Sequence, residues 1–229
     1  IRGALVPKKI PIVAKVGQFS EWPVVIVDVY TKEGIVGSSY LEPYVKDSVG
    51  AIDSFAKIAE NFFKDKVISP FNFYETALKT FHLSGREGIT IITLAGIDMA
   101  IWDALGKSLD TPLVTLLGGE PGPIRAYNTN GLWLVPPEKI EEQASYLVNQ
   151  GNFNALKIRL GRDKLVDDIE AISRVRKAVG EDIILMSDFN QGYTLGEAQI
   201  RMKDLDDQNL YWFEEPIVYD DYAGYSQLK

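Results

Sequence analysis

Cysteine is absent from this 229-residue chain, so disulfides and thiolate metal sites are excluded. Histidine occurs once, at His82, which removes histidine-rich metal centres as well. Positive charge is in deficit: 24 Lys and Arg stand against 32 Asp and Glu, a formal net charge of −8. General binding to nucleic acid or to an anionic membrane needs basic surface, so neither partner is expected. A small charged substrate stays compatible, because a local cluster can oppose the global sign. Long apolar runs are missing too. The longest, Ile89 to Ile97, falls far short of the roughly 20 residues that span a bilayer. The opening IRGALVPKKIPI has neither a long apolar stretch nor a cleavage site. A cytoplasmic enzyme is the default expectation.

What is present divides at EPGPI, around Pro121–Pro123, the expected linker between residues 1–120 and 121–229. The first forty residues read as strands: WPVVIVDVYT, a KEG turn, and IVGSSYLEP. Helical spacing follows over Asp47–Asp65, Phe73–Phe81 and Gly88–Leu105, the last apolar nearly all round. Trp102 and the helical-spaced Phe55, Phe62 and Phe63 read as core packing. Thr111-Pro112 is expected to cap and start a short helix ending at Gly118-Gly119.

Beyond Pro123 strands and helices alternate. Strands are expected at Ile124–Tyr127, Ala155–Ile158, Ile183–Asp188 and Leu210–Glu214. Helices are expected at Pro136–Asn149, Lys164–Val179, Gly196–Asp206 and Tyr219–Gln227. This rhythm predicts βαβ units and a parallel sheet. Four units make an open half-barrel, since a closed (β/α)8 barrel needs about 250 residues by itself. The chain is therefore expected to continue past Lys229. The charged residues of Glu138–Glu142 and Arg162–Asp168 read as solvated helix faces.

Asp188 and Glu214 end consecutive strands, about one strand–helix unit apart, and the strand before them ends in Lys157 and Arg159. Strand alternation puts Lys157 and Arg159 on one face, Met186, Asp188 and Asn190 on one face, and Trp212 with Glu214 on one face. Polar side chains pointing into a barrel are costly in its lower layers, so these belong at the C-terminal rim. Two inward carboxylates suit a hard divalent cation such as Mg²⁺. A third ligand would fall one unit on from Glu214, past Lys229. Trp133, in the loop after the first barrel strand, either lines the substrate pocket or packs.

Four segments carry a resemblance: AGIDMAIWDALGKSLDTPLVTLLGG (Ala95–Gly119), ALKIRLG (Ala155–Gly161), SDFNQG (Ser187–Gly192) and WFEEP (Trp212–Pro216). In order and spacing, the chain resembles the mandelate racemase group of the enolase superfamily. The resemblance implies an N-terminal α+β capping domain followed by a modified TIM barrel of (β/α)7β type, of which about the first half is present. It implies a base that removes the proton α to a carboxylate and Mg²⁺ that stabilises the resulting enediolate. Asp188 and Glu214 match the first two metal ligands. Lys157 matches the first lysine of the K-x-K motif, near the substrate carboxylate. Asn190 matches a polar residue near the metal and the substrate's α-substituent. Glu215 is assigned a supporting role behind the metal ligands. A flap matches Ile10–Trp22, and Tyr44 lies in a second capping segment that approaches the site.

Arg159 replaces the second lysine of that motif. A guanidinium holds its proton to a pKa above about 12, so it clamps a carboxylate or hydroxyl more readily than it acts as a base. One-base chemistry is therefore favoured, and with it an acid-sugar dehydratase. The alternatives are racemisation or epimerisation of a 2-hydroxy acid, and a non-catalytic relative that binds an acid. The substrate is expected to be a small carboxylate, either a hydroxy acid or an acid sugar. A homo-oligomer is implied. The family's His-Asp base belongs to later strands, and His82, in the capping domain, does not replace it.

Overall fold

In the computed structural model, which describes residues 1–67 and 69–229, β-branched residues at alternate positions build the first sheet. Its order is β1 (Arg2–Ala14), β2 (Gly17–Tyr30), β3 (Val36–Leu41), with β2 and β3 antiparallel from Val25↔Leu41 to Tyr30↔Val36. The chain forms two compact units: Ile1–Pro7 with Glu21–Pro123, and Lys8–Ser20 with Ile124–Lys229.

In the first unit, helices α1 (Ser48–Phe63) and α2 (Pro70–Thr80) pack on α3 (Gly88–Ser108), which lies against β3. Leu94 and Ile101 of α3 pack with Phe73, Ala77 and Phe81, while Ala100 packs with Val25, Val27, Leu41 and Ile52. Gly37 lets β3 approach α3, because a Cβ there would collide with the Ala100 carbonyl and with Ala104. By length and composition α3 could cross a membrane, a property hidden when only the run Ile89–Ile97 is counted. Its packing against β3, α1 and α2 makes it a core helix. Phe62 departs from the expected core role: it is exposed, though edge-on to Phe81. The short α4 (Leu113–Leu116) starts one residue later than expected, with Pro112 as its cap; the Thr111 hydroxyl instead donates to the Leu109 carbonyl.

In the second unit, β4 (Ala155–Arg159), β5 (Ile184–Asp188) and β6 (Phe213–Glu214) form a parallel sheet with Arg159 opposite Asp188 and Asp188 opposite Glu214. Helices α5 (Ile140–Asn149), α6 (Leu165–Val179), α7 (Leu195–Leu205) and α8 (Tyr222–Leu228) follow the βα rhythm. Ile158, Leu156, Leu185 and Phe189 enter a shared core with Ile140, Leu147, Ala171 and Ile172. The expected strand Ile124–Tyr127 does not form. Only Asn128 pairs, bridging Leu156, and its side chain then turns the chain by accepting from Asn130 N. The last strand is shorter than Leu210–Glu214, although Tyr211 N already donates to the Leu185 carbonyl and the Trp212 carbonyl accepts from Ser187 N ahead of it. The last helix starts at Tyr222, where Asp221 accepts the Gly224 N–H, rather than at Tyr219. Asp168 corrects the reading of Arg162–Asp168 as a solvated face: it is fully buried.

Candidate active site at the strand ends

Lys157, Arg159, Asp188 and Glu214 meet at the C-terminal ends of β4, β5 and β6. Parallel register brings Arg159, Asp188 and Glu214 level, with Lys157 two residues lower opposite Met186, and alternation sends all four to one face. Lys157 Nζ donates to Glu214 Oε1 at 2.6 Å and lies 3.1 Å from Asp188 Oδ2. One ammonium therefore sits between two carboxylates, and the lysine and Asp188 are both buried. Arg159 Nε lies 3.3 Å from Asp188 Oδ2 without hydrogen-bond alignment, while Nη1 donates to Thr129 Oγ1 at 3.0 Å. Its guanidinium stacks on the Trp133 ring at 4.5 Å. Burial pushes the Arg159 pKa below the ordinary guanidinium value, and Asp188 and Glu214 oppose that shift.

Trp133 is buried against Arg159, so its packing role is seen directly. Asn190 presents its backbone N–H to Asp188 Oδ1 at 2.8 Å, from a left-handed backbone with φ +46°. Glu215, also left-handed, is held by Gln191, whose Nε2 donates to Glu215 Oε1 at 3.2 Å. Burial, then the neighbouring Asp188, raise the Glu215 pKa. Tyr44 belongs to the first unit, where it stands edge-on to Trp22 and is largely exposed. Of the flap, Ile10–Ser20 group with the second unit, and the Val13 carbonyl accepts the Leu134 N–H. His82 is exposed, with its ring against the Lys79 carbonyl.

Sequence reading missed Asp168 and Arg162. The available signal was Gly161, whose N–H needs an acceptor where β4 ends; Asp168 supplies it, and accepts from the Arg162 N–H and Nη1 as well. As for a metal, no group of three suitable ligands converges among the described residues. Two carboxylates do converge, on the point that the Lys157 ammonium takes, and oxygen donors of this kind fit a hard divalent cation.

Residues 1–118 match the N-terminal domain of mandelate racemase / muconate lactonizing enzyme, and residues 139–229 match the enolase C-terminal domain-like family. The chain belongs to the mandelate racemase/muconate lactonizing enzyme family of the enolase superfamily. The match covers a capping domain and part of a barrel. Arabinonate dehydratase from Saccharolobus solfataricus is 37% identical over 138 residues, covering 59% of this chain and 37% of that protein. An enolase from alpha proteobacterium bal199, solved with bound magnesium, is 40% identical with TM-score 0.95. The chain aligns over 99% of its length to 63% of that protein. An enolase from Bradyrhizobium, complexed with magnesium and mandelic acid, is 31% identical with TM-score 0.91, over 99% of this chain and 62% of that one. This family member thus spans less than two thirds of each of these proteins. Other relatives are named as acid-sugar dehydratases and as racemases or epimerases.

Proposed function

We propose that the protein is a magnesium-dependent enzyme that removes the proton α to a substrate carboxylate, with dehydration of an acid sugar as its reaction. One observation carries this reading: the Asp188 and Glu214 carboxylates converge on a single cation at adjacent parallel strand ends. These two residues would hold magnesium, which when bound supplies concentrated positive charge to the oxygens of the deprotonated acid. Lys157 places an ammonium beside the substrate carboxylate. Arg159, fixed by Thr129 and Trp133, clamps a carboxylate or hydroxyl through its planar fork. Asn190 faces the α-substituent, and Glu215 supports the metal ligands from behind. The arabinonate dehydratase relative supports dehydration, as does an arginine where two-base chemistry would need a second lysine.

The test is Asp188→Asn. Magnesium affinity, read by calorimetry, is expected to fall at least about tenfold, since a charged ligand becomes neutral. Turnover of a panel of sugar acids is expected to fall with it. Unchanged affinity and turnover would sink the assignment. A second reading, racemisation of a 2-hydroxy acid, is favoured by the relative solved with mandelic acid. Solvent-deuterium exchange at the α-carbon with inversion and no loss of water would select it. Magnesium binding without exchange on any acid would favour a non-catalytic binder.

A further inference from the structure

We infer that Arg162 is a positioning residue whose guanidinium fork ties the end of β4 to the loop carrying Trp133, and so holds the Trp133 ring against Arg159. Arg162 Nη1 donates to the Arg159 carbonyl and Nη2 donates to the Val135 carbonyl, each at 3.3 Å. On the other side of Trp133, Arg159 N donates to the Leu132 carbonyl at 2.9 Å. The segment that presents the indole is therefore stitched to β4 both before and after the ring. It needs holding. Leu132 sits at φ +51°, a region costly for a branched side chain, and the buried Trp133 Nε1 has no hydrogen-bond acceptor among the described residues. The ring thus depends on its stack with Arg159 and on these backbone stitches.

Asp168 makes a nearly buried Arg162 tolerable. It is fully buried, accepts from Arg162 Nη1 at 3.1 Å, and lies 3.5 Å from Arg201 Nη1. Leaving either charge unpaired in such a place would be strongly destabilising. Arg201 shares Asp168, but its own donors go to the carbonyls of Arg162 and Asp163 on the turn. That difference separates positioning from plain stability.

The experiment uses Arg162→Lys, which keeps the charge that Asp168 faces and loses the two-carbonyl fork. Trp133 emission is isolated by subtracting spectra of Trp133→Phe in each background. The expected result is a red shift with greater acrylamide quenching in Arg162→Lys. Arg201→Lys is expected to lower the melting temperature without moving that emission. The consequence for turnover rests on the function proposed above: KM for the acid should rise about tenfold with kcat changed less, as for lost hydrogen bonds to a charged group. In the Trp133→Phe background the same Arg162→Lys change should leave KM nearly unaltered. Unmoved Trp133 emission, an equal response to Arg201→Lys, or additive effects on KM would each overturn the inference. Absence of turnover in the parent with the emission response intact would support the positioning and count against the proposed reaction instead.

Discussion

Lys157→Met removes one charge while keeping most of the aliphatic stem, so its effect reports electrostatics more than packing. The ammonium lies 3.1 Å from Asp188, with both side chains at least nine-tenths buried, and 2.6 Å from Glu214, whose side chain is 34% exposed. Breaking a buried pair costs about 3–5 kcal/mol when the partner is left as an uncompensated charge, and here Arg159 still lies 3.3 Å from Asp188. The Glu214 contact is discounted for solvent screening, which holds the sum near the lower end, about 3 kcal/mol. For a chain of this size that is a fall in melting temperature of roughly 6–12 °C. Magnesium should reverse it. In the variant two carboxylates converge with no ammonium between them, whereas in the parent the metal must displace those ion pairs. At about 100 times its Kd, a ligand adds roughly 2.7 kcal/mol. Thermal unfolding followed by circular dichroism in EDTA and in magnesium chloride reads both effects. Equal melting of parent and variant in EDTA would refute the electrostatic argument. An equal gain from magnesium in both would refute the claim that Lys157 takes the place of the metal.

Two other perturbations test the packing around this site and in the capping domain. Tyr193 is buried, its hydroxyl has no well-formed hydrogen bond among the described residues, and burial pushes its pKa up to about 12 against the opposing effect of Arg201. An unfolded tyrosine ionises near 10, so the folded protein keeps its proton over that interval and loses stability as pH rises from about 10 to 12. Tyr193→Phe should abolish that alkaline loss, about 2–3 kcal/mol at its limit, with little change at neutral pH; urea unfolding at both pH values checks it. Gly37→Ala should destabilise the first unit by about 3 kcal/mol, since its methyl meets the Ala100 backbone in α3, and a shift of the urea midpoint at constant slope is the measurement.

Much of the frame was legible because its signals are local. The helices at Ser48, Leu165 and Leu195 lie within one or two residues of where apolar spacing and turn residues put them. Strand alternation correctly assigned Lys157 and Arg159 to one face and Ile158 to the core. Errors arose where a partner decided the outcome. Ile124–Tyr127 has strand-like residues but finds only one bridge, through Asn128. Arg162 and Asp168 look like ordinary helix-start charges, and only the carbonyls and N–H groups of β4's turn reveal why both are inside.

The sequence by itself determined the family, the order of strands and helices, and the placing of two cations and two carboxylates at successive strand ends. The family follows from the resemblance of four segments, and the rest from residue type, spacing and a period of two, which need no distant neighbour. Tertiary structure alone decided that one lysine lies between both carboxylates, that Trp133 backs Arg159, and that Asp168 is buried. Those facts depend on register between strands and on how loops far apart in the chain share hydrogen bonds, and no local pattern encodes them.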